Sequence, residues 1–190
     1  MENLEKVFWD YFIYLPEHVN KWKLIVEDKF PFMKALKNQL EQYRLVKSKK
    51  WNDENLLNKF PQIENKLLEK ILSGIEQEMI ELRKLQTSLA SLNRELFRKH
   101  DAISKLSKND ISTEFTSKGS LVPPFWQLIE LADNSKNYYA ALYLKLDIEF
   151  TCLKYEDLDT ISDFEDTLLE LSKTVNEVQD AIALTAFCRE

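Results

Sequence analysis

Glycine and proline are scarce in this sequence, with two glycines and five prolines among 190 residues. A fold built from many short strands needs frequent turns, and turns rely on these two residue types. The shortage therefore argues against a β-sandwich or a β-barrel. With only Gly74 and Gly119 available, the chain also has no glycine-rich loop of the kind that binds nucleotide phosphates.

Cysteine and histidine are equally rare. Cys152 and Cys188 are too few for a disulfide framework and indicate reduced thiols. His18 and His100 lie far from both cysteines in the sequence, so no zinc-ligand spacing occurs, and the Glu-x-x-His motif of di-iron bundles is missing. We therefore predict no metal, no cofactor and no catalytic residues. A metal-carboxylate oxidase of the helical-bundle type remains an alternative, which metal analysis would test.

Long apolar runs are missing as well. The longest one near the N-terminus, residues 11–15, is far too short to cross a bilayer, and the acidic residues before it are unlike a signal peptide. These features predict a soluble protein of the cytoplasm and nucleus that does not associate with membranes.

Charge is plentiful but unevenly distributed. The net charge is −6, and residues 146–190 hold twelve acidic residues against three basic ones. Such a surface repels phosphate backbones, so we expect no direct and specific DNA binding. An acidic helical face can receive a basic partner, although a solvated face that aids solubility explains the same composition.

One stretch, residues 61–105, dominates the hydrophobic pattern. Its apolar residues recur three and four positions apart and define one seam of a heptad lattice: Leu68, Ile71, Ile75, Leu82, Leu85, Leu89, Leu92, Leu96 and Ile103. Glu78 and Lys99 are the charged positions within that seam. The pattern predicts a long helix that begins at Pro61 and buries its seam against other helices, of its own chain or of a partner.

Helical spacing also recurs on both sides of this stretch. A first helix is predicted for residues 2–15 and is expected to stop at Pro16, while Pro31 kinks or restarts the second segment. A basic patch at residues 47–50 is expected to close that second segment. Residues 51–57 read as a connector, and Phe60 before Pro61 ends it.

The C-terminal part is predicted to hold two further major helices after an exposed loop. The loop covers residues 106–123, and a helix rich in aromatic residues begins at Phe125. A short connection at Asp157 precedes the last helix, which we expect to start near Ser162 or Asp163 and to carry a second heptad seam as far as residue 185. That seam is long enough to lie along the helix of residues 61–105.

Together these patterns predict an all-α protein, an elongated helical bundle with long, antiparallel, coiled-coil-like helices. We expect a single domain, residues 1–190, with N-terminal helices (1–60), the long helix (61–105), the loop (106–123) and C-terminal helices (124–190).

Several short motifs in colinear order resemble one known family. They are Trp22, Pro31, Leu36, Asn38, Glu41 and Gln42, then residues 57–61 with Leu67 and Lys70, then residues 139–145, Tyr155 to Leu158, Ile161, Ser172 and Lys173. The set resembles the animal ribosome maturation factor that interacts with spermatogenesis-associated AAA ATPases, a small helical adaptor. The resemblance covers about residues 15–175.

The resemblance implies a non-catalytic adaptor subunit of an AAA ATPase complex. The implied partners are the ATPase hexamer, a second small helical protein of the cyclin-dependent-kinase-interacting type and, through the complex, the pre-60S ribosomal particle. The implied role is cytoplasmic maturation of the large ribosomal subunit, with replisome protein turnover as a further one. Heptads and acidity also suit a different class, a structural coiled-coil subunit of a tethering or chromatin-associated assembly.

The seam and the motifs together predict two groups of residues, one that binds partners and one with a structural role. Partner binding is predicted for Leu82, Leu85, Leu89, Leu92, Leu96, Tyr139, Tyr143 and Lys145; a structural role is predicted for Trp22, Pro31, Phe60, Pro61 and Asp157. The alternative for each leucine of the first group, and for the two tyrosines four residues apart, is a position in the protein's own core. His100, next to Arg98 and Lys99, is expected to be structural.

Overall fold

The computed structural model describes residues 2–48, 61–106, 123–154, 157–173 and 176–186. These residues form six α-helices and no strand: α1 (Glu2–Glu27), α2 (Phe30–Ser48), α3 (Ile63–Ser104), α4 (Phe125–Cys152), α5 (Leu158–Leu171) and α6 (Asn176–Leu184). The predicted all-α helical bundle is confirmed. The residues of the 51–57 connector and most of the 106–123 loop lie outside the described ranges.

The expected stop at Pro16 is wrong, because α1 continues through this residue to Glu27. Proline in a helix interior removes one backbone hydrogen bond and costs about 3 kcal/mol. The same face of the helix buries Tyr11 and Leu15 before the proline and Trp22 and Val26 after it. Burial of each large apolar side chain contributes about 1.5–3 kcal/mol, so tertiary packing outweighs the local penalty.

The turn between α1 and α2 places the two helices one after the other along α3. The ring of Tyr11 lies 6.3 Å from that of His100, Lys29 Nζ lies 3.9 Å from a carboxylate oxygen of Glu81, and Gln39 of α2 lies against Gly74. In these contacting pairs, the residue number on α3 therefore decreases as the residue number on the N-terminal segment increases. The two N-terminal helices together run antiparallel to the long helix.

The observed helix starts agree only in part with those predicted from proline and capping residues. Pro31 is in the first turn of α2, so the chain restarts there, and α2 ends at Ser48 with Lys47 in its last turn. Pro61 lies in the turn before α3, and the helix begins two residues later than predicted. The predicted caps Ser162 and Asp163 are inside α5; Asp157 is its N-cap and accepts a hydrogen bond from the backbone N–H of Asp159.

The long helix α3 contacts different neighbours along its length. Its 42 residues span about 63 Å, whereas the 28 residues of α4 span about 42 Å. Helix α4 packs antiparallel on the C-terminal half of α3 and alongside α1. Helix α2 packs on the N-terminal half of α3.

The C-terminal seam does not lie along α3 as one helix. It is divided between α5 and α6, which pack mainly on α4, with further contacts to α1; α5 also contacts α2. Trp22 donates a hydrogen bond from Nε1 to the carbonyl of Leu171 (3.1 Å), and Lys37 pairs with Glu165 (2.7 Å). These two bonds attach α5 to α1 and α2, whereas the prediction had placed the last helix along α3.

Candidate partner interface

Four of the five leucines predicted to contact a partner are core residues. Leu82, Leu85, Leu89 and Leu96 have no exposed surface, and Leu92 is half-buried against the core. These four positions of the predicted seam are buried, but helices of the same chain cover them. Because these four side chains have no accessible surface, they do not fit the partner-binding role predicted for them.

The remaining three predicted partner residues are on α4 in different environments. Tyr139 is buried against Trp22, with ring centroids 5.0 Å apart, and burial raises its pKa. Tyr143 is half-buried, and its pKa is raised first by burial and then by the negative charge of Asp147. Lys145 pairs with Glu170 of α5. Tyr143 and Lys145 keep partial exposure, whereas Tyr139 belongs to the core.

Four of the five residues predicted to be structural are among the described residues. Trp22 is buried, Pro31 and Pro61 stand at helix starts, and Asp157 caps α5. Phe60 lies outside the described residues.

A polar ladder, a row of hydrogen-bonded polar residues, fixes the position of α4 on α3. Of its members, only His100 was predicted to be structural. Its α3 members are Gln86, Asn93 and His100, spaced seven residues apart. Gln86 donates to the carboxylate of Asp147, Asn93 Nδ2 donates to the carbonyl of Tyr139 (3.1 Å), and His100 Nε2 lies 2.5 Å from Asp133 Oδ1. Polar residues at interior positions of paired helices specify register, because any shift leaves buried groups without partners.

An aromatic cluster around His18 was not anticipated. The imidazole is fully buried among the rings of Tyr14, Trp22 and Tyr139, with the ring of Tyr139 4.4 Å away. Neither ring nitrogen has a hydrogen-bond partner among the described residues. Burial lowers the pKa of His18 to about 4, so the side chain is neutral at physiological pH.

One surface groove lies between α3 and α4. This Phe97 groove has a volume of about 600 Å³ and is lined by Ala90, Asn93, Arg94, Phe97, Arg98, Asp101, Ala140, Tyr143 and Leu144. Its floor is mostly apolar, and Leu144 is 58% exposed beside it. The groove includes Tyr143, which is one of the predicted partner residues.

A second depression lies on the N-terminal half of α3. This Leu72 cleft has a volume of about 500 Å³ and is lined by Leu72, Ile75, Glu76, Met79, Ile80 and Arg83. Ile80 is 51% exposed and Leu72 is 37% exposed. Arg83 lies over the ring of Phe150 near the end of α4, so the cleft starts where the cover provided by α4 ends.

The two depressions are on the same side of α3. Their lining residues fall on one side of the helix: Leu72, Glu76, Met79 and Arg83 in the cleft, and Ala90, Arg94, Phe97 and Asp101 in the groove. Residues three and four apart share a face of a helix, and the step of seven from Arg83 to Ala90 is two turns, so both linings lie on the same face with a gap between them. The first and last of these residues are 29 positions apart, or about 44 Å.

Helix α5 presents an acidic line to solvent. Asp159, Asp163, Asp166 and Glu170 are exposed and recur four, three and four residues apart, which places them on one face. Glu170 is paired with Lys145 of α4. The acidic C-terminal surface expected from composition is therefore concentrated on this helix in the described part of the chain.

The described residues also bear on membrane crossing and metal binding. Over the part of the chain that the structure describes, no helix combines the length and the apolar character that a bilayer crossing requires. The same residues contain no group of three or more histidine, cysteine or acidic side chains arranged to hold a metal ion.

Comparison with known proteins gives one family and no curated relative. No curated protein matches the sequence. Residues 2–187 match the CA109-like family, described as ribosome biogenesis protein C1orf109-like. The match covers nearly the whole chain and confirms the resemblance to a ribosome maturation factor family. The chain therefore belongs to the C1orf109-like family of ribosome biogenesis proteins, and its role is in ribosome biogenesis.

Proposed function

We propose that this ribosome biogenesis protein is a non-catalytic adaptor subunit of an AAA ATPase complex that matures the large ribosomal subunit in the cytoplasm. In this proposal, ATP hydrolysis belongs to the ATPase hexamer, and a second small helical protein completes the complex. The complex brings the protein to the pre-60S particle. A further role in replisome protein turnover would place part of the population in the nucleus.

The observation that supports an adaptor most directly is the pair of depressions on α3. An adaptor must contact two proteins at once, so it needs two separate surfaces on one rigid element. The Leu72 cleft and the Phe97 groove are centred on different halves of a single helix, and both are mainly apolar. Grooves of this kind on helical proteins accept apolar faces of partner helices.

The acidic face of α5 supports the same proposal from the electrostatic side. Asp159, Asp163 and Asp166 are exposed on a protein of net charge −6. Complementary charge raises the association rate with a basic surface, such as that of a ribosomal protein or a basic groove of an ATPase. In the proposal this face orients the complex, and the two depressions provide the affinity.

Affinity purification of the tagged full chain at its endogenous level, followed by mass spectrometry, tests the proposal. The wild-type chain should recover the ATPase subunits and pre-60S proteins. Leu72→Asp with Ile80→Asp, and separately Arg94→Glu with Leu144→Asp, should each lose one set of partners. Leu24→Asp is the matched control, because Leu24 is 65% exposed on α1 and lines neither depression. Recovery of no ATPase with the wild-type chain would refute the proposal.

Sedimentation velocity separates the adaptor from the alternative of a tether. The described part of α3 packs against α1, α2 and α4 of its own chain, which supports a bundle formed within one chain and not an extended coiled coil between chains. A frictional ratio typical of a compact monomer would agree with the adaptor. A strongly elongated, self-associating species would favour the tethering subunit.

A further inference from the structure

The Phe97 groove has an apolar floor shaped by side chains of very different size. Its lining combines the large side chains of Phe97, Tyr143 and Leu144 with the small ones of Ala90 and Ala140. The volume of about 600 Å³ is within the range of sites that bury large ligand side chains. The floor is therefore suited to one or more apolar anchors of a partner.

One wall of the groove is positively charged. Arg94 and Arg98 are both exposed on it, and Lys136 lies over the ring of Phe97 at 5.9 Å. Arg98 donates two hydrogen bonds to Glu95 (3.0 and 2.7 Å), and Asp101 is the carboxylate of the lining.

Arg94 is a cation of this wall that forms no ion pair within the described residues. In the described ranges no carboxylate lies within ion-pair distance of it. A basic wall on a protein of net charge −6 favours an acidic ligand by charge complementarity.

A buried acceptor also lines the groove without a donor. Asn93 is 3% exposed, its Nδ2 is bonded to the carbonyl of Tyr139, and its Oδ1 has no hydrogen-bond partner among the described residues. An unsatisfied buried acceptor costs free energy. This oxygen has almost no accessible surface, so the binding of a ligand in the groove does not depend on it.

The shape of the groove favours a helix as its occupant. It runs between two antiparallel helices, and the described residues offer no strand edge to which an extended peptide could add. From Ala90 to Asp101 the groove covers about 17 Å, or three helical turns. A third helix can pack its own row of side chains into the groove between two others.

We infer that the Phe97 groove binds an acidic amphipathic α-helix of a partner protein, with apolar anchors between Phe97 and Leu144 and a carboxylate on Arg94. This inference rests on the proposed function, in which the depressions of α3 hold partner proteins. The inference adds that the segment supplied by one of these partner proteins is helical and acidic.

Two synthetic peptides of eighteen residues test the inference by fluorescence anisotropy with the full chain. Both carry leucines at helical spacing; one has glutamates and the other lysines beside the leucines. The acidic peptide should bind at least about tenfold more tightly, and 0.5 M salt should reduce this preference. Arg94→Glu should abolish the preference, and Leu144→Asp should weaken both peptides about tenfold. Lys34→Glu, an exposed cation on α2, is the control and should leave both affinities unchanged.

Several results would overturn the inference. Equal affinity for the two peptides, or affinities unaffected by Arg94→Glu and Leu144→Asp, would exclude an acidic helix as the occupant. Self-association in sedimentation velocity that Leu144→Asp abolishes would assign the groove to a second copy of this chain. Circular dichroism of each variant verifies the fold. If the peptides bind as expected but the ATPase is not recovered from cells, the proposed function is refuted and this inference stands. If the ATPase is recovered but neither peptide is preferred, this inference is refuted and the proposed function stands.

Discussion

The two halves of α3 differ in what covers them. The C-terminal half packs against α1 and α4 and is joined to α4 by hydrogen bonds at Gln86, Asn93 and His100. The N-terminal half has α2 as its main neighbour, and its open side is the Leu72 cleft. The difference shows that one amphipathic helix serves as a core element where two helices cover it, and as an exposed edge where one does.

Polarity follows the same division. Around the C-terminal half the core contains aromatic rings and buried polar groups such as Tyr11, whose hydroxyl donates to the carbonyl of Ala132 (3.0 Å). Around the N-terminal half the buried residues of α2 and α3 are mainly aliphatic, among them Leu36, Leu40 and Ile71. Directional bonds specify one arrangement, whereas aliphatic contacts tolerate small shifts. We therefore expect the two halves to respond differently to substitution.

The largest contrast should come from matched core truncations. Leu89→Ala removes a fully buried side chain from the half covered on two sides, and should lower the free energy of unfolding by about 4–5 kcal/mol. Ile75→Ala should cost about 2–3 kcal/mol, because Ile75 lines the Leu72 cleft and its neighbours can relax towards solvent. Urea unfolding of both variants measures the difference. Equal losses would show that the cleft does not weaken the N-terminal half.

The free energy of unfolding should depend on pH through His18, which lies in the aromatic cluster. The pKa of His18 is lowered from 6.5 to about 4, so between these values the unfolded chain binds a proton that the folded chain does not. The contribution of His18 to the free energy of unfolding is therefore fully present above pH 6.5. It is lost as the pH falls to about 4, and this loss is at most about 3 kcal/mol.

The variant His18→Phe isolates this effect, because it keeps an aromatic ring among Tyr14, Trp22 and Tyr139 but has no ionisable group. Urea unfolding of the wild-type chain and of this variant at pH 7 and pH 4.5 gives the comparison. The variant should lose less stability than the wild type between the two values. Parallel losses would mean that His18 is not the group responsible.

The smallest expected effect is at Gly74, in the half covered by α2. Alanine has a higher helix propensity than glycine by about 1 kcal/mol. A Cβ atom at this position would approach the side-chain amide of Gln39 to 2.6 Å, so that side chain must move. Gly74→Ala alone should change stability by less than about 1 kcal/mol, and in a Gln39→Ala background it should stabilise by about 1 kcal/mol. Thermal unfolding of the four chains of this cycle tests the coupling.

Periodicity in the sequence predicted the long helix and its buried row, yet it misplaced part of that row. The heptad lattice assigns Leu92 and Lys99 to the interior, whereas the structure buries Asn93 and His100 next to them. A helix with neighbours on two sides buries a face wider than a coiled-coil seam, so polar residues enter the interior. The seven-residue spacing of Gln86, Asn93 and His100 was visible in the sequence, but their partners on α4 were not.

Local rules failed where distant contacts prevailed. Pro16 predicted a helix end, and the packing of Trp22 and Tyr11 on one continuous face overrode it. The cap of α5 was misplaced by several residues, since Ser162, Asp163 and Asp157 are all good capping residues and only the fold selects among them. Leu82 and Leu85 were assigned to a partner because an apolar stripe looks the same whether its cover is internal or external.

By itself, the sequence determined the all-α class, the long central helix, the acidic C-terminal surface and, through its motifs, the ribosome biogenesis family. These depend on composition, on spacing along the chain and on colinear similarity, all of which are local or cumulative properties. The tertiary structure decided which apolar rows are covered, that the C-terminal helices pack on α4, and where the Leu72 cleft and the Phe97 groove open. Exposure depends on which helices pack together, and that depends on contacts between residues far apart in the chain.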